Sequence, residues 1–347
     1  LNYLFFVINM AIPILYFLIF ILALIMNGVA VRVCMRLHST TTFIVYLKNL
    51  VAADLLMTLT IPLKAANDMP NAPLALKTFS CRYSDVIFYL CMYMSILLLA
   101  LISLDRFFKI VKPCGRLLAQ KLVFGKVMSA FFWVGLLGLE VIPTIVLTNQ
   151  DPTNNTNGSC IKMKSDTGLL FHSNLIIFNV TLFWLLCVLI CSCYICIARK
   201  VLQSYRKSGS RNNTGMHKTK VRVFLVLAVF LVCFVPYHAL RIPYTLLQVK
   251  IESTCTKSTL RIAKKITLWI SSINVCLDPL IYFFLCKSFR TSLFQTFHLP
   301  SGTCSWLTRK APGPNTVRAT SKDDSTYKSP KNRLLSHLKL SELSRIF

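Results

Sequence analysis

The stretch IFYLCMYMSILLLALISLDRF, residues 87–107, decides how this chain is read. From Ile87 to Leu101 only Ser95 and the tyrosines Tyr89 and Tyr93 carry a side-chain oxygen. A run of that length and polarity suits the roughly 20 residues that cross a lipid core. It closes on Asp105 and Arg106, and a second run holds NVCLDPLIY at 274–282, with Asp278 in its middle. Ionisable groups in a spanning helix are costly, so they mark function before filler.

Working outward, six more apolar stretches of spanning length emerge, giving seven: about 10–34, 44–66, 79–107, 123–147, 169–201, 221–247 and 262–285. The 347 residues are 55% hydrophobic and only 15% charged, against about 25% charged in soluble domains. The expected fold is an all-α membrane protein, a seven-transmembrane helix bundle. Its expected parts are an extracellular amino-terminal remnant at 1–9, a receptor-like bundle at 10–285, an amphipathic surface helix at 286–297 and a disordered tail at 298–347.

The net charge of +27 would suit nucleic acid, but its placement does not. Arg32, Arg36, Lys109, Lys112, Arg116, Arg199, Lys200, Arg206, Lys207, Lys218, Lys220, Lys287 and Arg290 follow spans one, three, five and seven. That is one side of the membrane, and the positive-inside rule makes it the cytosol, with the amino terminus outside. The chain opens on Leu1; the first span is too long and uninterrupted for a signal peptide.

Of fourteen cysteines, eight lie in apolar spans, where they act as small hydrophobes. Cys81, Cys160 and Cys255 face the oxidising side on this topology, and a Cys81–Cys160 bridge is expected. Cys255 is left to pair with a segment upstream of Leu1. The polar loop around residues 149–168 carries two glycosylation sequons, at Asn154 and Asn157. After the seventh span, basic and apolar residues alternate at helical spacing from Lys287 to Phe297, which predicts a short cytosolic eighth helix on the membrane surface. Cys304 is a candidate for acylation as a second anchor. The Ser/Thr/Lys/Arg-rich tail reads as disordered and phosphorylatable.

Asn27, Asp54, Ser95, Asn274 and Asp278 are deep polar residues that need partners, so they are expected to meet. Two carboxylates there could hold an allosteric sodium ion, with Asp54, Ser95, Asn274 and Asp278 as its oxygens; no other cofactor is expected. Asp105–Arg106 is a candidate switch, its pair made in one state and broken in another. Pro143, Pro236 and Pro279 are expected to kink spans four, six and seven. Glu140 is intramembrane without an evident partner.

The outer helix ends gather Lys64, Lys77, Lys164, His172, His238, Arg241 and Lys264, with Tyr89, Tyr93 and Tyr244 at helical spacing. Arg offers a planar fork for phosphate oxygens, Lys a point charge and Tyr a stacking face. A cationic cup with aromatic walls suits an anion bearing a flat ring. Lys77 and Lys265 read as solvated rim charges.

Over essentially its whole length the chain resembles rhodopsin-like (class A) G-protein-coupled receptors. The matching residues are Asn27, Leu50–Asp54, Cys81, Asp105-Arg106-Phe107, Trp133, Tyr194, CFVP at 233–236 and DPLIY at 278–282. Within that class it looks like the metabotropic purinergic receptors, in the Gi-coupled branch that answers ADP or UDP-sugars and its orphan relatives. FIVYLKN (43–49), DLLMTLT (54–60), VIFYLCMY (86–93), CFVPYH (233–238), RIPYT (241–245) and NVCLDPLIYF (274–283) carry that likeness. The resemblance implies phosphate contacts from Arg241, His238, Lys264 and Lys164, and a base or ribose framed by Tyr89 and Tyr93. Lys64, His172, Tyr244 and Gln248 complete the implied ligand set. It implies an activation switch of Asp105, Arg106, Tyr194, Phe234, Pro236, Asp278, Pro279 and Tyr282. It also implies a plasma-membrane location, a Gi heterotrimer, and arrestin and receptor kinases at the tail.

Asp85, Lys265 and Ile176 depart from the branch, where a small polar residue, a Glu and an Asn are usual. A lysophospholipid would suit the same cationic rim and is the alternative ligand class. A transporter is disfavoured by the lack of an internal repeat. An enzyme is disfavoured because no nucleophile–base pair is evident, and His172 and His238 are too isolated to hold a metal.

Overall fold

A computed structural model describes residues 2–111, 121–150, 160–207, 213–249 and 254–298. The sequons at Asn154 and Asn157, Cys255 as a bridge partner, Cys304 and the tail beyond 298 lie outside the residues or side chains described. Among the described residues, seven helices are long and apolar enough to cross a membrane. They are α1 (Asn2–Arg36), α2 (Thr42–Asn67), α3 (Leu74–Ile110), α4 (Leu122–Leu147), α5 (Asp166–Lys207), α6 (Asn213–Val249) and α7, in two pieces (Thr254–Ser272 and Asn274–Leu285). The short α8 (Lys287–Thr296) follows after one extended residue, Cys286.

Several helices run past their expected limits. α1 begins at Asn2, so residues expected as a remnant before the span are further turns of it. α3 begins at Leu74 and passes through a π-turn at Ser80–Ser84. That wide turn carries Cys81, which is bridged to Cys160 with Cα atoms 5.3 Å apart. α4 has its own π-turn over Leu137–Val141, just before Pro143 at the start of the next α-helical turn. A proline ring crowds the preceding turn, so the extra residue is accommodated there.

α3 is the axial helix. Met92, Met94, Ile96 and Leu98 are all buried, whereas Val123, Phe131, Val134 and Leu139 of α4 are exposed. That contrast separates a helix enclosed by helices from one facing lipid. α2 meets α4 closely: a methyl added at Gly125 would sit 3.2 Å from Thr42 Cγ2, and Trp133 Nε1 donates to Asn49 Oδ1 at 3.1 Å. α8 is tied in twice. Arg290 donates to the carbonyls of Phe283 and Phe284, which end α7 without intrahelical partners, and Arg36 donates to Thr296 at 3.1 Å.

A receptor pocket over a polar core

The end of the bundle expected to face outward is built from α2, α3, α5, α6 and α7. Arg241, buried on α6, lies 5.6 Å over the Tyr89 ring and 5.8 Å over Tyr237. Lys264 of α7 sits 4.5 Å over Tyr244. Lys164 follows the short 3₁₀ turn Cys160–Met163 and donates to Thr148 at 3.1 Å. His172 on α5 has Lys164, Arg241 and Lys264 within electrostatic reach. Of the implied ligand set, the fold brings these four together with Tyr89 and Tyr244 into one neighbourhood. Among the described residues no carboxylate forms an ion pair with Arg241, Lys264 or Lys164. Burial pushes the Lys164 ammonium down to about 8.

Two cations in that region behave differently. Lys64 is buried and pairs with Asp85 at 3.0 Å, with Phe88 5.4 Å beneath its ammonium. Lys265, expected as a solvated rim charge, pairs with Asp68 at 3.4 Å and donates to Asn9 at 3.1 Å. Both pairs join different helices, a relation that helical spacing within one segment does not encode. His238 is less available than the resemblance implies. Its Nδ1 donates to the Phe234 carbonyl at 2.8 Å, and its ring stacks 3.8 Å from Phe183. Only Nε2 remains, buried without a partner among the described residues. Tyr93 meets the His238 ring edge-on at 5.8 Å. Gln248 lies on α6, but its side chain is outside the description.

Halfway down, the expected polar set converges. Asn27, Asp54, Ser95, Asn274 and Asp278 are fully buried. Tyr282 donates to Asp54 Oδ2 at 2.7 Å, Asn27 to the Val275 carbonyl at 3.0 Å, and Asn274 to Asp278 at 3.5 Å. Ser95 donates to its own helix, to the Cys91 carbonyl. Among the described residues, the Oδ1 atoms of Asn27, Asp54, Asn274 and Asp278 find no donor. Four buried, unsatisfied oxygens fit a small hard cation or a shared proton. Among the described residues, no three His, Cys, Asp or Glu side chains form a metal-binding group.

At the opposite end, Asp105 accepts from Thr42 at 2.6 Å and from Lys109 at 2.8 Å, partners its sequence context had not suggested. Arg106 lies 3.9 Å over the Phe43 ring. Tyr194, Phe234 and Tyr282 of the implied switch are buried in the core between these levels. A cleft of about 500 Å³ lies at this end, lined by Val111 and, from α5, Cys196, Leu202 and Gln203 with Arg199, Lys200 and Arg206. Glu140, left without a partner by the sequence, is buried on the α4 π-turn with Asn179 of α5 in reach.

The comparisons agree with this geometry. The model of the 7 transmembrane receptor (rhodopsin family) matches residues 26–282. The human (Homo sapiens) purinoceptor 13 is 40% identical over 288 residues, 83% of this chain and 81% of that one. The bovine (Bos taurus) purinoceptor 14 is 39% identical over 289 residues, covering 83% and 86%. The mouse (Mus musculus) G-protein coupled receptor 87 is 40% identical over 285 residues, covering 82% and 79%. Seven spanning helices, the tethered outer loop and the Asp54–Tyr282 core thus belong to one pattern: the chain is a multi-pass plasma-membrane receptor, not an enzyme, and belongs to the rhodopsin family of seven-transmembrane receptors.

Proposed function

We propose that this receptor answers an extracellular nucleotide or nucleotide-sugar and signals through a Gi heterotrimer to inhibit adenylyl cyclase. The observation that carries the reading is the cluster Arg241, Lys264 and Lys164, the first two lying over tyrosine rings and none ion-paired to a carboxylate among the described residues. Burying cations together is costly unless an anion joins them. The rings of Tyr89, Tyr93 and Tyr244 offer a face for a base. Relatives named purinoceptors point to the same ligand class.

On this reading the amino terminus is outside and the basic cleft of α3 and α5 is cytosolic. Ligand in the cup favours one of two bundle states through its differential affinity for them. Pro236 and Pro243 lie within α6 and give it points of flexure. The Asp105–Lys109 and Arg106–Phe43 contacts are the ones a G protein would exchange. A sodium ion held near Asp54, Asn274 and Asp278 would favour the unliganded state, and arrestin and receptor kinases would act on the tail.

The test is ligand-dependent inhibition of cAMP in cells expressing the full chain, with ADP, UDP-glucose, lysophosphatidic acid and lysophosphatidylserine side by side. A nucleotide response, abolished by Arg241→Ala and by toxin that uncouples Gi, is expected. A response to the lysophospholipids alone would keep the receptor and remove the nucleotide.

A further inference from the structure

The cations of the outer cup differ in their pairing, although Lys264 lies within electrostatic reach of Lys64, Asp85 and Asp68 as well as of Arg241. Toward α5 and α6, the Lys164, His172, Arg241 and Lys264 side chains share a field with no acid ion-paired to them among the described residues. Toward α2, both cations already carry an acid: Lys64 holds Asp85 at 3.0 Å, and Lys265 holds Asp68 at 3.4 Å. The Lys64–Asp85 pair is largely out of solvent, with side-chain exposures of 9% and 18%. It bridges α2 to α3 one turn from Tyr89 on α3, the residue whose ring also lies under Arg241.

Tyr89 therefore marks the boundary between the two halves. Arg241 approaches its ring from one side, and Lys64 and Asp85 both lie within electrostatic reach of it. A phosphate chain growing away from Arg241 along that ring would arrive at Lys64. With Asp85 in place it meets a cation already neutralised, and a carboxylate that repels it. Coulomb interactions between charges about 4 Å apart are worth several times more in such a site than in water.

We infer that Asp85 is a specificity-determining residue: by occupying Lys64 it limits the cup to a short phosphate group, a monophosphate or diphosphate ester, and rejects longer polyphosphates. The inference rests on the cup's being an anion site, as proposed above, but not on the base that the anion carries. Rejection through an occupied cation and a like charge is a usual route to selectivity, since specificity is a difference between two affinities.

The experiment measures how phosphate, pyrophosphate and tripolyphosphate shift the thermal unfolding of purified full-length receptor. Wild type, Asp85→Asn, Lys64→Gln and the double variant are compared at constant ionic strength. Wild type should bind pyrophosphate at least as tightly as tripolyphosphate. Asp85→Asn should improve tripolyphosphate at least tenfold relative to pyrophosphate, because Lys64 becomes a fourth open cation. The double variant should return that ratio to the wild-type value. Lys64→Gln alone leaves Asp85 unpaired and should weaken all three anions severalfold. Since Asp85→Asn leaves a buried ammonium without its partner, it is the variant most prone to misfold. The comparison of Lys64→Gln with the double variant then decides, with recovery of pyrophosphate binding expected on removing the carboxylate.

An unchanged chain-length ratio in Asp85→Asn, or no recovery in the double variant, overturns the inference. So does a wild-type preference for tripolyphosphate, or no stabilisation by any of the three. The nucleotide reading fails separately. If the ratio shifts as stated but no nucleoside base distinguishes ligands in the cAMP assay, Asp85 keeps its role and the nucleotide is lost. A nucleotide response with an unshifted ratio has the opposite meaning.

Discussion

The outer cup and the mid-membrane core are both clusters of like charge in a poorly solvated place, yet they are relieved in opposite ways. The cup has Arg241, Lys264 and Lys164 in excess and two acids, Asp68 and Asp85, committed elsewhere. The core has Asp54 and Asp278 in excess, and four oxygens without donors. A buried charge must find a counter-charge or lose its own. On the proposed reading the cup is completed by an anion, since Arg241 cannot give up its proton as the lysines can. The core can be completed by a proton or small cation, and it already borrows the Tyr282 hydroxyl. On the proposed reading, recognition belongs to one level and state-setting to the other.

The strongest test of that division is Arg241→Ala. Truncating one side of a desolvated charge contact costs about 2–5 kcal/mol. Ligand potency in the cAMP assay should therefore drop by at least about thirtyfold, since each 1.4 kcal/mol is a factor of ten. Surface expression should hold, because the arginine is paired with rings and not with an acid. A shift below about threefold would remove Arg241 from the anion path and blur the distinction between the two levels.

Next in size is Gly168→Val, which asks whether the cup depends on the α4–α5 junction. A Cβ at Gly168 would lie 2.6 Å from the Leu147 carbonyl oxygen, and that oxygen already accepts from the Ser165 amide at 3.2 Å. Backbone must move, at about 1–3 kcal/mol for overpacking. A lower unfolding midpoint together with weaker phosphate binding is expected, because Lys164 precedes Ser165. Loss of stability with unchanged binding would show that the Cys81–Cys160 bridge and the Thr148 contact position Lys164 without the α4–α5 junction.

Much of this was legible from the chain. Hydropathy gave the seven spans, and the deep polar residues converged because buried polar groups need partners. The pairing of charges was not legible. Nothing in KAAND or SDVIF says that Lys64 meets Asp85, because that contact depends on how α2 and α3 pack around the π-turn at Ser80–Ser84. Asp105 is a similar case. Its neighbour in sequence is Arg106, but packing gives it Thr42 from α2 and Lys109 one turn on. The resemblance implies a phosphate contact from His238, but nothing in its sequence context says that its ring lies flat against Phe183. Periodicity names the face of a helix, and only packing names what the face touches.

Asp54→Asn tests the core with a smaller effect. Wild-type receptor should unfold at a higher temperature in sodium than in choline chloride of equal ionic strength. A ligand at about ten times its Kd contributes roughly 1.4 kcal/mol. The variant should lose that difference while keeping its response to phosphate. A wild type indifferent to sodium would leave a shared proton as the means by which the core is relieved.

The smallest effect separates the levels by pH. Burial holds the Lys164 ammonium down at about 8, with His172 its titratable neighbour in the cup. Between pH 7 and 9 the free protein passes from mostly charged to mostly neutral Lys164, a roughly tenfold fall in the charged fraction. The second ionisation of a phosphate ester is largely complete by pH 7, so the ligand's charge changes little across this window. Affinity for a phosphate anion should therefore fall by up to about tenfold as pH rises from 7 to 9. Lys164→Arg, which stays charged, should flatten that fall. Stability runs the other way. The folded pKa lies below the ordinary value of about 10.4, so between pH 8 and 10.4 the unfolded chain binds more protons than the folded one. The ligand-free protein should then gain stability from this residue over the range in which it is losing affinity. Opposed slopes are expected only of a cation that is buried in advance of its anion. If both curves were flat from pH 7 to 9, Lys164 would be an ordinary surface lysine, and the cup would rest on Arg241 and Lys264 alone.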